Sequence, residues 1–400
     1  GFLTVDLPMP TAILDLEYTQ LPALTSVPEP YRQARALVRV GGQPAAWVRL
    51  PVENGQVTAQ AVMDALRALP RTALWQMLAR ENAGQPETPH EDLPTATVAV
   101  CTRDRPDDLR RCLESLSRLP DDGQEILVVD SASRSQTTRE VVESFPSVRY
   151  LRLERPGLNV ARNAALQAAA GEIVVFIDDD AVADAGWLHA HRRAFAHPLV
   201  MVSTGITLPL ELETEAQEDF EAFASFNRGF NPTVFTRRDL HPLAAGKAGA
   251  GVNMALRREL AGRIGLFHEA LDAGTPTQSG GETELFSRAL AAGYRIAYTP
   301  GALNWHRHRQ TAAELRRAVY GYGVGVYAFW FSRLISAGEF AAPLMAAIWF
   351  WYDQFPALLR SLLRRPGAPP WPLPLDELRG CLAGPWAYLR AQRIAKKAAA

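Results

Sequence analysis

Between residues 96 and 180 the chain repeats one pattern: a short, nearly pure apolar run, a stretch with helical spacing, then another apolar run. Ala96–Cys101, Glu125–Val129, Val148–Leu151 and Glu172–Ile177 read as strands. Between them Asp107–Leu119, entered through Pro106, Ser135–Ser144 and Val160–Ala170, stopped by Gly171, read as helices. Strands alternating with helices of this length demand crossovers and a parallel sheet. An all-helical bundle and an antiparallel sandwich are thereby excluded for this segment. In such sheets ligands bind beyond the carboxyl ends of the strands, so the informative residues are those just after each apolar run.

Those positions are polar and mostly ionised. Thr102-Arg103-Asp104-Arg105-Pro106 follows the first strand, Asp130-Ser131 the second, and Asp178-Asp179-Asp180 the fourth. In extended chain, residues i and i+2 share a face, so Asp178 and Asp180 are expected to approach one ligand together. Adjacent carboxylates repel unless a cation or proton intervenes, and hard oxygen ligands suit Mn²⁺ or Mg²⁺ whose shell is completed by substrate phosphates. The alternative is a solvated acidic turn. Glycine-rich phosphate loops are absent: no GxxxxGK[ST] occurs, and no GxGxxG follows the first strand. Gly321-Tyr322-Gly323-Val324-Gly325 lies in an apolar helical context and reads as packing.

The chain has 400 residues, room for two or three domains. Its 42 basic and 43 acidic residues give a net charge of −1, which argues against nucleic acid as a partner. Three cysteines, Cys101, Cys112 and Cys381, form no CxxC pair, so a reducing cytoplasm is the simplest home. Residues 1–93 read as a small α+β domain: 35–50 alternate around Gly41-Gly42 as a hairpin, Val62–Leu78 has helical spacing, and 81–94 reads as a linker. Residues 94–315 read as the α/β unit and 316–400 as a helical, Trp-rich, basic region. Its uncharged runs, Ala318–Ser332 and Phe340–Tyr352, are short for a span of roughly 20 residues. Buried core helices are one reading of them. A monotopic face beside a basic tail, in contact with the inner surface of a membrane, is the other.

Seven motifs in order, TVAVCTRDRP (97–106), ILVVDSAS (126–133), PGLNVARNAAL (156–166), VVFIDDDA (174–181), GAGVNMALRRE (249–259), GGETELF (280–286) and WHRH (305–308), resemble family-2 glycosyltransferases of the GT-A fold. The resemblance implies an α/β, Rossmann-like, mostly parallel sheet. It implies an inverting enzyme that moves sugar from a nucleotide-diphosphate donor to a hydroxyl of a glycan or lipid-linked saccharide. By the same resemblance Thr102, Arg103, Asp130 and Arg162 with Asn163 hold the nucleotide. Asp178 faces the sugar or ribose, Asp179 between the two joins it among the donor-binding residues, Asp180 is the direct metal ligand, and Asp178 and His306 complete the metal set. Asn253 and Met254 fall in the acceptor-side segment. The family's Glu-Asp pair is replaced by Gly280-Gly281-Glu282-Thr283-Glu284, so Glu282 is the expected general base and Glu284 its reserve. A nucleotidyltransferase and a non-catalytic glycan- or membrane-bound scaffold are the alternatives.

Overall fold

The computed structural model describes residues 10–70 and 93–399. In the first segment β1 (Thr11–Glu17) runs parallel to β2 (Gln33–Val40), which forms a hairpin with β3 (Gln43–Pro51), and α1 (Ala59–Arg67) packs on that sheet. The hairpin turns at Gly41-Gly42, where φ values of 57° and 75° require residues without a Cβ penalty. The helix expected over Val62–Leu78 starts three residues early, capped by the Thr58 side chain. Its expected end, and the expected linker apart from its last two residues, lie outside the described residues.

The central unit follows the expected alternation closely: β4 (Ala96–Thr102), α2 (Pro106–Leu116), β5 (Glu125–Ser131), α3 (Thr137–Glu143), β6 (Val148–Leu153), α4 (Leu158–Ala168) and β7 (Ile173–Asp178). The rest comprises β8 (Ala181–Ala183), α5 (Trp187–Ala194), β9 (Val200–Pro209), α6 (Glu215–Phe223), β10 (Asn253–Arg257), α7 (Gly281–Ala291) and β11 (Arg295–His306). The sheet order is β8-β11-β9-β10-β7-β4-β5-β6, with a short strand, Thr233–Phe235, also paired to β11. β7, β4, β5 and β6 are mutually parallel, which aligns their carboxyl ends along one edge. This is the α/β arrangement that the GT-A resemblance implies. Beyond β7 the pairing becomes mixed: β10 and β8 enter antiparallel, β9 and β11 pair in parallel. Apolar side chains fill both faces of the sheet, as two-sided coverage by helices requires.

The N-terminal sheet packs on the β9–β11 edge. Leu37 of β2 is buried with Ile206, Leu208 and Leu303, and Trp47 meets Trp305 edge-on. Arg39 pairs with Asp184, and the Tyr31 hydroxyl donates to Glu213 at 2.6 Å.

Past the sheet, α8 (Ala312–Ala337), α9 (Ala342–Trp349), a π turn (Phe350–Gln354), α10 (Phe355–Leu362) and α11 (Pro372–Ala399) form the helical region. The 321–325 glycines do pack: a Cβ on Gly323 would lie 2.1 Å from the Glu377 carbonyl oxygen, and one on Gly325 1.9 Å from Ser279 Oγ. Gly380 and Gly384 of α11 answer from the other side, against Tyr320 and Val324. Among the described residues no helix is long and apolar enough to cross a membrane. All three cysteines are free.

Candidate active site

The carboxyl ends of β4, β5 and β7 open onto a cavity of about 830 Å³. Thr102, Arg103, Ser131, Arg162, Asp178, Asp179, Asp180, Glu282 and His306 all reach its wall. These residues come from strand ends, a helix start and the last residue of a distant strand; the register makes them neighbours. Ala181 of β8 pairs with His306 of β11, so His306 sits across from the residue that follows Asp180.

The three aspartates do not behave as an extended strand. β7 ends at Asp178 and the chain turns at Asp179-Asp180 before β8, so the period-two alternation lapses there. It is Asp179 and Asp180 that share a partner: Arg105 Nη1 lies 3.2 Å from the first and 2.9 Å from the second. Thr102 Oγ1 also donates to Asp179, at 2.7 Å. Burial and then the Asp180 charge push Asp179 up to about 7 and raise Asp178 as well. Asp180 moves the other way. Burial opposes its ionisation, but His306, Arg105 and Arg309 together outweigh that and hold it low.

Asp180 Oδ1 is buried without a hydrogen-bond partner, although His306 Nε2 is 3.2 Å away. Behind His306 runs a chain: its Nδ1 lies 2.9 Å from His308 Nδ1, and His308 Nε2 lies 2.9 Å from Glu221 Oε1 on α6. With Glu221 Oε1 as the acceptor of this contact, the His308 proton is assigned to Nε2. Burial favours a neutral His308. Its bare Nδ1 must then accept from His306 Nδ1–H. His306 is left presenting Nε2 to Asp180 Oδ1, a contact that needs a proton or a cation between the two acceptors. A divalent cation therefore fits this pair. Among the described residues no three His, Cys, Asp or Glu side chains gather into a ready-made cage. The expected trio is thus present as the close pair Asp180–His306, with Asp178 on the same wall and not gathered with them. Such a pair suits an ion that keeps substrate oxygens in its shell.

In the same cavity Glu282 stands in the first turn of α7. Burial first, and the neighbouring Asp272 second, push its carboxyl up to about 7 against the pull of Arg162. Arg162 is buried and pinned: Nη1 donates to Asp272 Oδ2 at 2.7 Å, and its guanidinium lies over Phe267 at 5.5 Å. Gly251 makes room for both groups, since a Cβ there would lie 2.6 Å from Arg162 Nη2 and 3.4 Å from Glu282 Cδ. Glu284 faces away, clamped by Arg288 at 2.8 Å and near Arg333 at 3.6 Å. Of the two acids the sequence left open, only Glu282 reaches the cavity.

Four expected positions are structural. Asp130 is fully buried off the cavity wall, accepting from Ser133 N at 2.8 Å and the Tyr150 hydroxyl at 2.6 Å, with Arg152 at 3.2 Å. Its cross-strand partner is Arg152 of β6, and the neighbouring Ser131 takes the wall position. Asn163 holds the Phe267 backbone. Asn253 is saturated by Trp187, His191 and two carbonyls, and Met254 is core, so neither lines the acceptor side. Sequence reading missed Arg105, Arg309, His308, Glu221 and Asp272. His308 was legible in principle, because the i and i+2 histidines of WHRH share one side; Glu221 and Asp272 carried no signal.

Residues 97–264 match the profile of glycosyl transferase family 2. These residues form a family-2 glycosyltransferase domain. Glycosyltransferase AglE of Haloferax volcanii is 25% identical over 285 residues, covering 69% of this chain and 87% of that protein. The pre-mycofactocin glycosyltransferase of Mycobacterium tuberculosis is 26% identical over 294 residues, 70% of this chain and 58% of its own length. Among solved structures, the mannosyltransferase PcManGT from Pyrobaculum calidifontis, in complex with GDP-Man and Mn²⁺, superposes with a TM-score of 0.46 at 22% identity over 86% of each chain. The chain is an enzyme that transfers glycosyl groups, which sets aside the nucleotidyltransferase and scaffold alternatives. The glycosyltransferase domain includes the β4, β5 and β7 ends of the cavity, while Glu282 and His306 come from residues beyond the matched span.

Proposed function

We propose that this glycosyltransferase moves a sugar from a nucleotide-diphosphate donor to an acceptor hydroxyl with inversion, using Glu282 as base and a divalent cation at Asp180 and His306. One observation carries the reading: a carboxyl whose proton affinity is raised to about 7 lines the same cavity as Asp180 and His306, where a buried Asp180 oxygen has no hydrogen-bond partner. When bound, Mn²⁺ or Mg²⁺ supplies positive charge to the departing diphosphate. Thr102 and Arg103 line the nucleotide end, with Ser131 in the place expected of Asp130. Arg105 and Arg309 add positive charge beside Asp180.

In the step itself Glu282 takes the acceptor O–H proton while that oxygen bonds to the anomeric carbon. The bond from anomeric carbon to phosphate oxygen breaks, and its electron pair leaves with the nucleoside diphosphate. Attack opposite the leaving group inverts the anomeric centre. Arg162, locked to Asp272, keeps Glu282 ionisable near neutrality by opposing its neighbours. The acceptor on this reading is a glycan or lipid-linked saccharide, glycosylated at the cytoplasmic face of a membrane; three free cysteines suit that reducing side.

Asp180→Asn tests the proposal. In a thermal-shift titration with UDP and GDP, wild type should gain stability only with Mn²⁺ present, and the variant should lose that gain. A cation-dependent gain of equal size in the variant removes Asp180 from the metal site.

A further inference from the structure

The helical region is folded with its apolar side outward. From α9 through the π turn to α10, Leu344, Ile348, Trp351, Phe355, Leu359 and Leu362 recur every three or four residues and are 62, 42, 61, 41, 45 and 57% exposed. Tyr352 and, just before α9, Phe340 extend the stripe at 79 and 84%. The fully buried positions are polar or small, Ala342, Gln354 and Ser361, with Met345 and Trp349 packed partly inward on α9; Gln354 Nε2 bonds Glu377 Oε2 at 3.2 Å and Cys381 Sγ at 3.1 Å. Next to that contact on α11, Leu382 and Trp386 are exposed at 77 and 75%. A water-facing helix would carry the reverse pattern. The stripe covers about 30 Å of helix, far more than scattered surface apolar residues would give.

We infer that this face docks on a lipid bilayer bearing anionic headgroups, and that the bilayer presents the acceptor. The inference rests on the glycosyltransferase reading for its second half only. Charge complementarity selects the occupant. Residues 355–400 carry eight Lys and Arg against Asp376 and Glu377, a net +6. Arg360, Arg364 and Arg365 are exposed at the end of the stripe, and Arg390, Arg393, Lys396 and Lys397 are exposed on α11. Tryptophan and tyrosine beside arginine is the composition that sits at a headgroup boundary. A helix lying in the interface also needs no spanning length, in keeping with the absence of such a helix among the described residues.

The cavity reaches this face. Its lining includes Phe329, Trp330, Met345, Ile348 and Trp349, an apolar group in the same cavity as the ionised residues around Asp180. Ile348 belongs to both surfaces, lining the cavity while standing in the exposed stripe. Trp330 and Trp349 stack edge-on, and the Trp330 indole is fixed to the Leu243 carbonyl at 2.8 Å, so the apolar group is built of anchored side chains. An acceptor with an apolar tail and a hydroxylated head matches both sets of residues: tail along α9, hydroxyl toward Glu282.

Co-sedimentation of the full chain with phosphatidylcholine vesicles, and with 70:30 phosphatidylcholine:phosphatidylglycerol vesicles, tests the inference. Wild type should bind the anionic vesicles more tightly, and added NaCl should weaken that binding. W351S/L359S/W386S should lower the partition coefficient at least about tenfold, because each exposed ring or branched chain contributes a sizeable apolar burial. R360Q/R364Q/R365Q should lower anionic binding roughly fivefold per charge and leave binding to neutral vesicles unchanged. Both variants should keep the wild-type melting temperature and the Mn²⁺-dependent shift with nucleoside diphosphate, because none of these side chains lines the cavity. No vesicle binding by wild type, equal binding by the triple variants, or a solution dimer that the apolar variant dissociates would each overturn the proposal. If vesicle binding behaves as expected while nucleoside diphosphates fail to bind, the docking face stands and the sugar-transfer reading falls.

Discussion

Glu282→Gln separates chemistry from stability in a single variant. In the folded chain the carboxyl is raised from 4.5 to about 7, by burial and then by Asp272. At about 1.4 kcal/mol per pH unit, ionising it in place costs up to about 3 kcal/mol, and water in the cavity trims that to about 2 kcal/mol. The sign follows from which state binds the proton more tightly. The unfolded chain releases it near 4.5 and the folded chain only near 7, so the penalty grows between those values and is complete above them. Glutamine keeps the shape and has no charge to bury. The variant should therefore melt at higher temperature than wild type at pH 8, with the advantage shrinking toward pH 5. Its activity should move the other way. Release of nucleoside diphosphate from donor into water, which also needs a base, should fall about 10²–10⁴-fold. The wild-type acid limb, with its midpoint near 7, should vanish. Hydrolysis within a few-fold of wild type with that limb intact would show that Glu282 is not the base. An advantage over wild type no larger at pH 8 than at pH 5 would show that the Glu282 charge is not held against burial.

Two further perturbations test the supports around the site. Glu221→Ala removes the acceptor that fixes His308, and through it His306. Mn²⁺ affinity, read by titration of nucleoside diphosphate binding against the metal, should fall about 10–100-fold, and Glu221→Gln, which keeps an acceptor oxygen, should recover most of it. Equal losses in both variants would point to charge and not to orientation. Gly323→Ala places a methyl 2.1 Å from the Glu377 carbonyl and should cost about 1–3 kcal/mol by urea or thermal unfolding. Gly262→Ala, where a Cβ meets nothing within 4 Å, should be neutral or mildly stabilising.

Much of the architecture was legible because it is written in local periodicity. The strands Ala96–Thr102, Glu125–Ser131 and Ile173–Asp178 are mostly buried and apolar, the helices between them have their own spacing, and Gly41-Gly42 marks its own turn. Each strand end could be located to within a residue or two, which was enough to bring Thr102, Arg103 and Asp178–Asp180 onto one edge. Periodicity failed at the last step. It assumed that Asp178 and Asp180 stay extended, whereas the chain turns between β7 and β8 and hands Asp179 and Asp180 to Arg105.

What the sequence determined alone was the parallel half of the sheet, the edge that carries the ionised residues and the glycosyltransferase resemblance, since each depends on residues close together in the chain. What only the tertiary structure decided was which groups face which. Glu282 and not Glu284 reaches the cavity, Asp130 turns toward Tyr150, and His306 meets Asp180 because β11 pairs with β8 across more than a hundred residues. The C-terminal helices make the same point. An apolar run reads identically whether it faces a core or a bilayer, and only the burial of Gln354 and Ser361 beneath an exposed Trp351 shows which way it is turned.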